Sequence, residues 1–304
     1  MKRIFSVLFC LLLISFCLSS CNFQKSETFS VVATNFPAYD FAKNIIGDKG
    51  TVRLLLPPGG ESHTYEPTAK DIILISECDL FIYNGGESDS WVETLLSSLD
   101  TKPETVKMID FVDVCHEEHS EEHHSEHNHQ TDEHIWTSLK NSVKIINGIS
   151  DKLSALDTGN SQHYAKNADF YSSKIEKLDA DFEELFNHAK RKTIVVADRF
   201  PFTHFINDYK LHYHSAYHSC SEDAEPTPKI IAELIDVVKV EKIPVIFHLE
   251  FSNKTVASAV SEDTGVPLKE LHSCHNITKN QLADEVTYLD LMKHNFEILK
   301  EAVN

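Results

Sequence analysis

Short apolar runs and amphipathic helical patterns alternate along the first half of this 304-residue chain. Apolar runs rich in β-branched residues predict strands at residues 29–33, 52–56, 80–83 and 106–109. The segments between them predict helices at residues 37–46, 68–76 and 91–97. Because parallel strands are joined through intervening helices, this order predicts an α/β fold with a parallel-type sheet flanked by helices.

The second half repeats this alternation without a close sequence repeat. A helix at residues 137–153 closes the first half, and strands of the second half are predicted at 193–197, 213–217, 245–249 and 268–271. Further helices are predicted at residues 202–209, 228–240, 254–264 and 288–303. The chain therefore predicts two α/β lobes, which also suits a length above that of a usual single core.

One long amphipathic helix is predicted between the two halves. Its apolar stripe recurs at spacings of four and three residues, at Tyr164, Ala168, Tyr171, Ile175, Leu178, Phe182 and Leu185. Such a helix is over about 30 Å long and could act as a stiff backbone between the lobes, or be an ordinary long surface helix. The predicted domains are a first lobe at 21–155, the linking helix at 156–190 and a second lobe at 191–304.

The N-terminal segment has the pattern of an export signal at residues 1–20. Lys2 and Arg3 precede an apolar stretch at residues 4–18 that is short for a membrane-spanning helix. Residues 18–21, ending in Cys21, resemble a lipobox, which implies lipid attachment at Cys21. An ordinary cleaved signal with an incidental cysteine is the alternative. We expect an extracytoplasmic protein that is lipid-anchored to a bacterial membrane.

Charge and histidine content point to a divalent cation. The formal charge of −19 argues against nucleic acid, which needs a basic surface, and suits a cation ligand. A His-rich loop at 115–133, interleaved with carboxylates, predicts an accessory metal loop. Its histidines are His116, His119, His123, His124, His127 and His129. The alternative is a solvated disordered loop of biased composition.

Four cysteines follow Cys21 in the exported chain: Cys78, Cys115, Cys220 and Cys274. An oxidising compartment permits disulfides, and four cysteines allow three pairings that sequence cannot distinguish. We favour Cys220 with Cys274, because both lie in loops after predicted strands of the same half. Cys115 borders the His-rich loop and could bind metal instead.

Several histidines lie near strand ends, where open α/β sheets form their ligand sites. His63 follows the second predicted strand, and His134 comes between the His-rich loop and a helix. His248 ends a strand of the second half, and His272 and His275 follow the last strand. Histidines at strand ends of both halves predict a metal site between the lobes.

These motifs resemble those of zinc- and manganese-binding lipoproteins that serve ATP-driven metal importers, the cluster A-I solute-binding proteins. Residues 63–68, His-Thr-Tyr-Glu-Pro-Thr, resemble the family's first-ligand loop, and residues 133–138, Glu-His-Ile-Trp-Thr-Ser, its second-ligand segment, with Leu139 at the family's usual proline. Glu225-Pro226 and the following helix match a second-lobe segment. The resemblance implies two lobes joined by a long helix, a non-enzymatic receptor, and a membrane permease as partner. The His-rich loop is typical of zinc members.

The second lobe departs from the family pattern at two ligand positions. Arg199 aligns with the third ligand, and arginine cannot coordinate a metal. The region of the fourth ligand, an aspartate in the family, reads His272-Ser273-Cys274-His275. We therefore expect metal ligation by His63, His134, His272 and His275. His248, Glu250 and His204 are the next candidates, and Arg199 is expected to pair with Asp198 or Glu250 or to close the site by hydrogen bonds.

Three or four imidazoles favour Zn²⁺ over Mn²⁺, which prefers oxygen ligands. The leading hypothesis is a monomeric receptor that captures Zn²⁺ between the lobes and delivers it to an ABC importer. The alternatives are a zinc-dependent hydrolase, which would need a general base near the metal, and a surface adhesin lipoprotein with a structural metal. The chain has no His-Glu-x-x-His motif, and Glu250 is a weak candidate for the base.

Overall fold

The computed structural model describes residues 28–61, 63–113, 132–217 and 226–304. The predicted signal peptide, Cys21, all six histidines of the His-rich loop, Cys115 and Cys220 lie outside the described residues. Within the described part, no helix has both the length and the apolar character needed to cross a membrane.

The first lobe is a four-stranded parallel sheet in the order β2-β1-β3-β4. Its strands are β1 (Phe29–Ala33), β2 (Gly50–Leu54), β3 (Leu80–Tyr83) and β4 (Glu104–Lys107). Its helices are α1 (Phe36–Ile46), α2 (Ala69–Glu77) and α3 (Ser90–Ser98). The central strand β3 is buried along its whole length, as expected for a sheet covered on both faces.

The second lobe has the equivalent parallel order, β6-β5-β7-β8. Its strands are β5 (Thr193–Val196), β6 (His212–Ser215), β7 (Ile246–His248) and β8 (Leu268–Glu270). Its helices are α6 (Thr203–Tyr209), α7 (Pro228–Val240), α8 (Thr255–Thr264), α9 (Lys279–Ala283) and α10 (Tyr288–Val303). The predicted fold class, two parallel sheets flanked by helices with one long helix, is confirmed.

Two helices connect the sheets, α4 (Leu139–Leu156) and the long α5 (Ser161–Asn187). The predicted stripe on α5 is buried, apart from Leu185, which is partly buried. Tyr171 packs edge-on against Phe41 of the first lobe, and Phe182 packs edge-on against Phe205 of the second lobe. The helix therefore contributes to the packing of both lobes, and its buried stripe belongs to a core cluster that includes residues of each. Each lobe also has a smaller separate cluster on its sheet.

Local chemistry explains where several elements begin. Asn35 caps α1 by accepting a hydrogen bond from the amide of Ala38, and Pro37 lies in its first turn. Thr68 and Asp71 form a capping box at the start of α2. Helix α9 was not predicted, because its single turn of helix carries no periodic apolar face, although Thr278 and Gln281 form a capping box there.

Candidate metal centre

Three imidazoles from separate segments meet between the two sheets. His63 lies in the loop after β2, His134 precedes the short 3₁₀ turn Ile135–Thr137, and His275 lies in the loop after β8. One potential ligand atom from each lies within 4.8 Å of the other two. The ring centroids are 5.9 Å apart for His63 and His134, 5.9 Å for His63 and His275, and 5.5 Å for His134 and His275. We call these three residues the histidine triad.

The ring of His63 is oriented by two residues of the first lobe. Its Nδ1 lies 3.0 Å from Oγ of Ser88 and 3.3 Å from Oε1 of Glu133. Ser88 donates from its amide and its hydroxyl to the carboxylate of Glu133, so these groups form one network. A proton on Nδ1 would be shared with this network, which leaves the lone pair on Nε2. That Nε2 is buried and has no hydrogen-bond partner among the described residues.

The ring of His134 is held by a carboxylate two residues earlier. Nδ1 of His134 lies 2.7 Å from Oδ1 of Asp132, which also accepts a hydrogen bond from the His134 amide at 2.9 Å. Burial would raise the pKa of Asp132, but the charge and hydrogen bonds of His134 outweigh it and lower that pKa to about 2. The carboxylate is therefore ionised, keeps a proton on Nδ1 and directs the lone pair to Nε2, as partners of metal-ligating histidines do.

A tight turn brings His275 towards the triad. Cys274 has a left-handed backbone with φ 62°, which reverses the chain between His272 and His275. The His275 ring then lies 4.9 Å from the indole of Trp136, measured between centroids. The indole Nε1 of Trp136 donates to the carbonyl oxygen of Ser273 at 2.8 Å. The segment that carries His134 and the loop that carries His275 are thereby joined directly.

The structure does not bring His272 into the triad. Its amide donates to Oδ1 of Asn295 and its carbonyl oxygen accepts from Nδ2 of Asn295, which fixes the residue against α10. Its Nδ1 accepts the amide hydrogen of Cys274 at 2.9 Å, so the ring lone pair is already used. His272 is absent from the group of potential ligand atoms that includes His275. Only one of the two histidines predicted from this loop is therefore placed with His63 and His134.

The reserve candidates His204, His248 and Glu250 are not in the group of converging ligand atoms, although Glu250 lines the same cleft. Nε2 of His204 is 3.0 Å from the carbonyl oxygen of Asp132, and Nδ1 of His248 is 2.9 Å from the carbonyl oxygen of Leu249. Glu250 accepts hydrogen bonds from the amide and hydroxyl of Ser273. These side chains stabilise the loops around the site.

One contact of Arg199 involves a carboxylate that the sequence analysis did not name. The guanidinium faces Glu61 of the first lobe, with Nη1 3.8 Å from Oε2. Pairing with Asp198 or Glu250, or closure of the site by hydrogen bonds, stays a prediction. Asp198 accepts hydrogen bonds from the backbone amides of Arg199 and Leu249. Cys274 is buried and has a free thiol within the described part of the chain. Its predicted pairing with Cys220 stays a prediction, because Cys220 lies outside the described residues.

Burial and mutual repulsion favour the neutral form of His63 and His275. Burial is the largest cause that lowers the pKa of His63, and the charge of a protonated His134 lowers it further. The pKa of His275 lies well below its ordinary value, again mainly through burial and then through the charges of His134 and His63. Only a neutral imidazole can bind a metal ion. The lowered pKa values therefore reduce the competition of protons with the metal at these two rings.

The donor set fits Zn²⁺. Three imidazoles in tetrahedral-type geometry with one further position are a common zinc arrangement. A buried Nε2 on His63 without a hydrogen-bond partner would be costly if it had no ligand to bind. A cleft of about 300 Å³ reaches the triad and is lined by residues of both lobes, including Glu61, Arg199, Tyr217 and Asn276.

Sequence reasoning missed the residues that position the triad. Asp132 was read only as part of the acidic run, although an acid two residues before a ligand histidine is a local signal. Ser88 and Asn276 gave no such signal, because their contacts to the triad loops are formed across long sequence separations.

Comparison with known proteins identifies the family. A family model described as ZnuA, zinc-uptake complex component A, periplasmic, matches residues 31–302. The chain belongs to this family. Membership confirms the resemblance inferred from residues 63–68 and 133–138. It also agrees with the two-lobed fold, because family members of known structure superimpose on nearly the whole described chain.

Two curated relatives illustrate the similarity. The zinc-binding lipoprotein AdcA of Streptococcus pneumoniae is 32% identical over 97% of this chain and 60% of its own length. The high-affinity zinc uptake system protein ZnuA of Bacillus subtilis is 30% identical over 99% of this chain and 97% of its own length. The chain thus spans about 60% of the AdcA relatives that it matches but nearly all of the Bacillus subtilis ZnuA.

Two solved structures share the fold. The Zn(II)-bound ZnuA-like domain of Streptococcus pneumoniae AdcA has a TM-score of 0.77 and 30% identity, covering 91% of this chain and 99% of that domain. The metal-dependent lipoprotein YcdH of Bacillus subtilis has a TM-score of 0.78 and 27% identity, covering 91% of this chain and 100% of its own.

Proposed function

We propose that this chain is the extracytoplasmic receptor of a zinc importer. It captures Zn²⁺ between its lobes through His63, His134 and His275 and delivers the ion to the membrane permease of an ABC transporter. The observation that carries this proposal is the histidine triad, three converging imidazoles drawn from both lobes. Similar proteins named for zinc binding and zinc uptake support Zn²⁺ as the cargo, with Mn²⁺ disfavoured by the nitrogen donors.

A receptor suits the site better than a hydrolase does. A zinc hydrolase needs a carboxylate or imidazole base beside the metal-bound water. Among the described residues, Glu133 is engaged by Ser88, and Glu250 is engaged by Ser273. These two carboxylates therefore hold protein groups in position. An adhesin with a structural metal would instead retain zinc that does not exchange, which separates that alternative from a transport receptor.

The proposed attachment is a lipid on Cys21, which would place the receptor beside its permease at the outer face of the cytoplasmic membrane. The proposed role of the His-rich loop is to hold ions weakly and raise their concentration near the triad. Both segments lie outside the described residues, so these roles depend on the sequence pattern and on the lipoprotein relatives.

Zinc titration against a competing chelator tests the receptor and its ligands. The mature chain should bind one Zn²⁺ tightly and exchange it with excess chelator. A variant without residues 116–129 should retain that tight site and lose weaker additional sites. The double variant His63→Ala, His134→Ala should lose the tight site, whereas His188→Ala, on an exposed histidine, should keep it. Unchanged tight binding in the double variant would refute the proposed site.

Zinc uptake tests the transport role separately. Cells that lack their own copy of this protein should regain uptake of radioactive zinc when the wild-type chain is restored. The His63→Ala, His134→Ala chain should not restore it, although it reaches the same surface abundance. Full restoration by that variant would indicate that the tight site does not serve transport.

A further inference from the structure

The histidine triad by itself leaves a zinc ion incompletely coordinated. The group of potential ligands within 4.8 Å of one another comprises His63, His134 and His275, and among the described residues no carboxylate joins it. Zinc prefers four ligands, and three neutral imidazoles leave its double positive charge unbalanced. Water could fill the fourth position, but a small anion that enters through the cleft would both complete the coordination and offset this charge.

The acidic side chains around the cleft are already engaged. Glu250 accepts from Ser273, and both oxygens of Asp198 accept backbone amides. Glu61 uses Oε1 to accept the amide hydrogen of His63 at 3.3 Å, while its Oε2 faces Arg199. Recruiting any of them to the metal would break contacts that hold the loops of the site.

Arg199 supplies a positive charge at the same cleft. It lines the cleft together with the three histidines, and its guanidinium carbon lies 5.9 Å from the ring centre of Tyr217. Its side chain is about a third exposed, so an entering solute can reach it. A planar guanidinium matches the two oxygens of a carboxylate better than any other side chain does.

We propose that a small carboxylate anion from solution completes the zinc site, with one oxygen on the metal and the other on the guanidinium of Arg199. This inference rests on the proposed zinc-binding function and adds an anion to the cargo. The combination explains why an arginine is compatible with a metal cleft. Alone it would repel a cation, but with a carboxylate between them the charges alternate from metal to anion to guanidinium.

Cobalt absorption spectroscopy tests this proposal, with acetate as the probe. Co²⁺ replaces Zn²⁺ in sites of this kind, and its visible absorption bands report the fourth ligand. The full mature chain loaded with one Co²⁺ should show a saturable change in these bands as acetate is added. Arg199→Met should weaken the apparent acetate affinity by about tenfold or more, because a charge-assisted contact is lost. Arg53→Met, on an exposed arginine of β2, is the matched control.

Each outcome has a defined meaning. No acetate response in the Co²⁺-loaded wild type would overturn the proposal, as would an Arg199→Met titration identical to that of Arg53→Met. A cobalt spectrum that changes in Glu61→Gln while wild type ignores acetate would assign the fourth position to Glu61 and also overturn it. Arg199→Lys keeps the positive charge but lacks the planar guanidinium that can bind both carboxylate oxygens. Its apparent acetate affinity should be intermediate, and it provides a second variant if Arg199→Met does not fold.

Failure of the anion site is distinguishable from failure of zinc binding. If the triad does not bind metal, the wild-type chain gives no tetrahedral cobalt bands even without acetate. If the triad binds metal but the anion site is absent, the bands form and remain constant through the titration.

Discussion

Asn276 of the second lobe donates a hydrogen bond from its side-chain amide to the carbonyl oxygen of Pro57 in the first lobe, at 2.8 Å. The same amide donates to the carbonyl oxygen of Gly60 at 2.9 Å. The acceptors lie in the loop that carries His63, and the donor directly follows His275. The backbone adds a bond from the amide of Gly59 to the carbonyl oxygen of Ile277 at 2.9 Å. Two triad residues from different lobes are thus held together by one short connection.

Asn276→Ala should therefore weaken zinc binding without removing a ligand. Each hydrogen bond contributes about 1 kcal/mol, so losing both should reduce the zinc affinity by roughly 10–30-fold. Chelator competition measures this change. Asn187→Ala, on an exposed asparagine at the end of α5, should have no effect. An affinity equal to wild type in Asn276→Ala would mean that the connection does not position the triad.

The two histidines of the last loop should behave differently. His275→Gln removes a proposed ligand and should lower zinc affinity by more than roughly 100-fold, because zinc retains only two imidazoles. His272→Gln should change zinc affinity by less than a few-fold, although it should lower the melting temperature, since His272 is buried. Equal losses of zinc affinity in both variants would contradict the separation of these rings.

Asp132 should influence zinc through His134. In Asp132→Asn the new side-chain amide has no charge to hold the proton on Nδ1 of His134. Zinc affinity should therefore fall by about 10–100-fold, as is typical when a residue that hydrogen-bonds to a metal-ligating histidine is replaced. Calorimetric titration of zinc measures the change. Asp151→Asn, on the exposed face of α4, is the matched control. If Asp132→Asn binds zinc as tightly as the control does, the carboxylate has no role in orienting the ring.

Zinc binding should depend on pH through the triad imidazoles. The pKa values of His63 and His275 are lowered. Protons therefore compete with zinc for these two rings only at pH values below the ordinary imidazole pKa of about 6.5. Zinc affinity should accordingly be nearly constant at pH above about 6.5 and fall only at lower pH, where protons begin to occupy the rings. Chelator competition between pH 4 and 8 follows this loss. An affinity that already falls steeply between pH 8 and about 6.5 would contradict ligation by rings with lowered pKa values.

A second pH effect should arise at the interface between the first lobe and α5. The carboxyl of Asp40 is buried and accepts a hydrogen bond from Oη of Tyr171 at 2.5 Å, and burial raises its pKa to about 7. A raised pKa means that the folded state favours the protonated form. The protonated carboxyl of Asp40 therefore contributes fully to the free energy of unfolding at pH below its unfolded-state pKa of about 4. This contribution is lost as the pH rises through about 7, the pKa in the folded state.

Asp40→Asn, a neutral mimic of the protonated acid, tests this effect. At pH 8 the free energy of unfolding of the metal-free variant should exceed that of wild type by roughly 2–4 kcal/mol, and the difference should vanish near pH 4. Urea unfolding at both pH values measures it. Asp169→Asn, exposed on α5, should show no such pH-dependent difference. A difference that does not change with pH would mean that the pKa of Asp40 is the same in the folded and unfolded states.

The sequence by itself determined the order of elements, because apolar periodicity distinguishes short buried strands from amphipathic helices. It also determined the family, through the motifs around His63 and His134, and the length and buried stripe of α5. Helix α9 escaped prediction because one turn has no detectable period. Only the tertiary structure distinguished His272 from His275, since it places His275 with the other two imidazoles and ties His272 to Asn295 of α10. It alone paired Arg199 with Glu61 and Asn276 with Pro57. These contacts join residues far apart in the chain, and local sequence patterns carry no information about which distant groups folding will bring together.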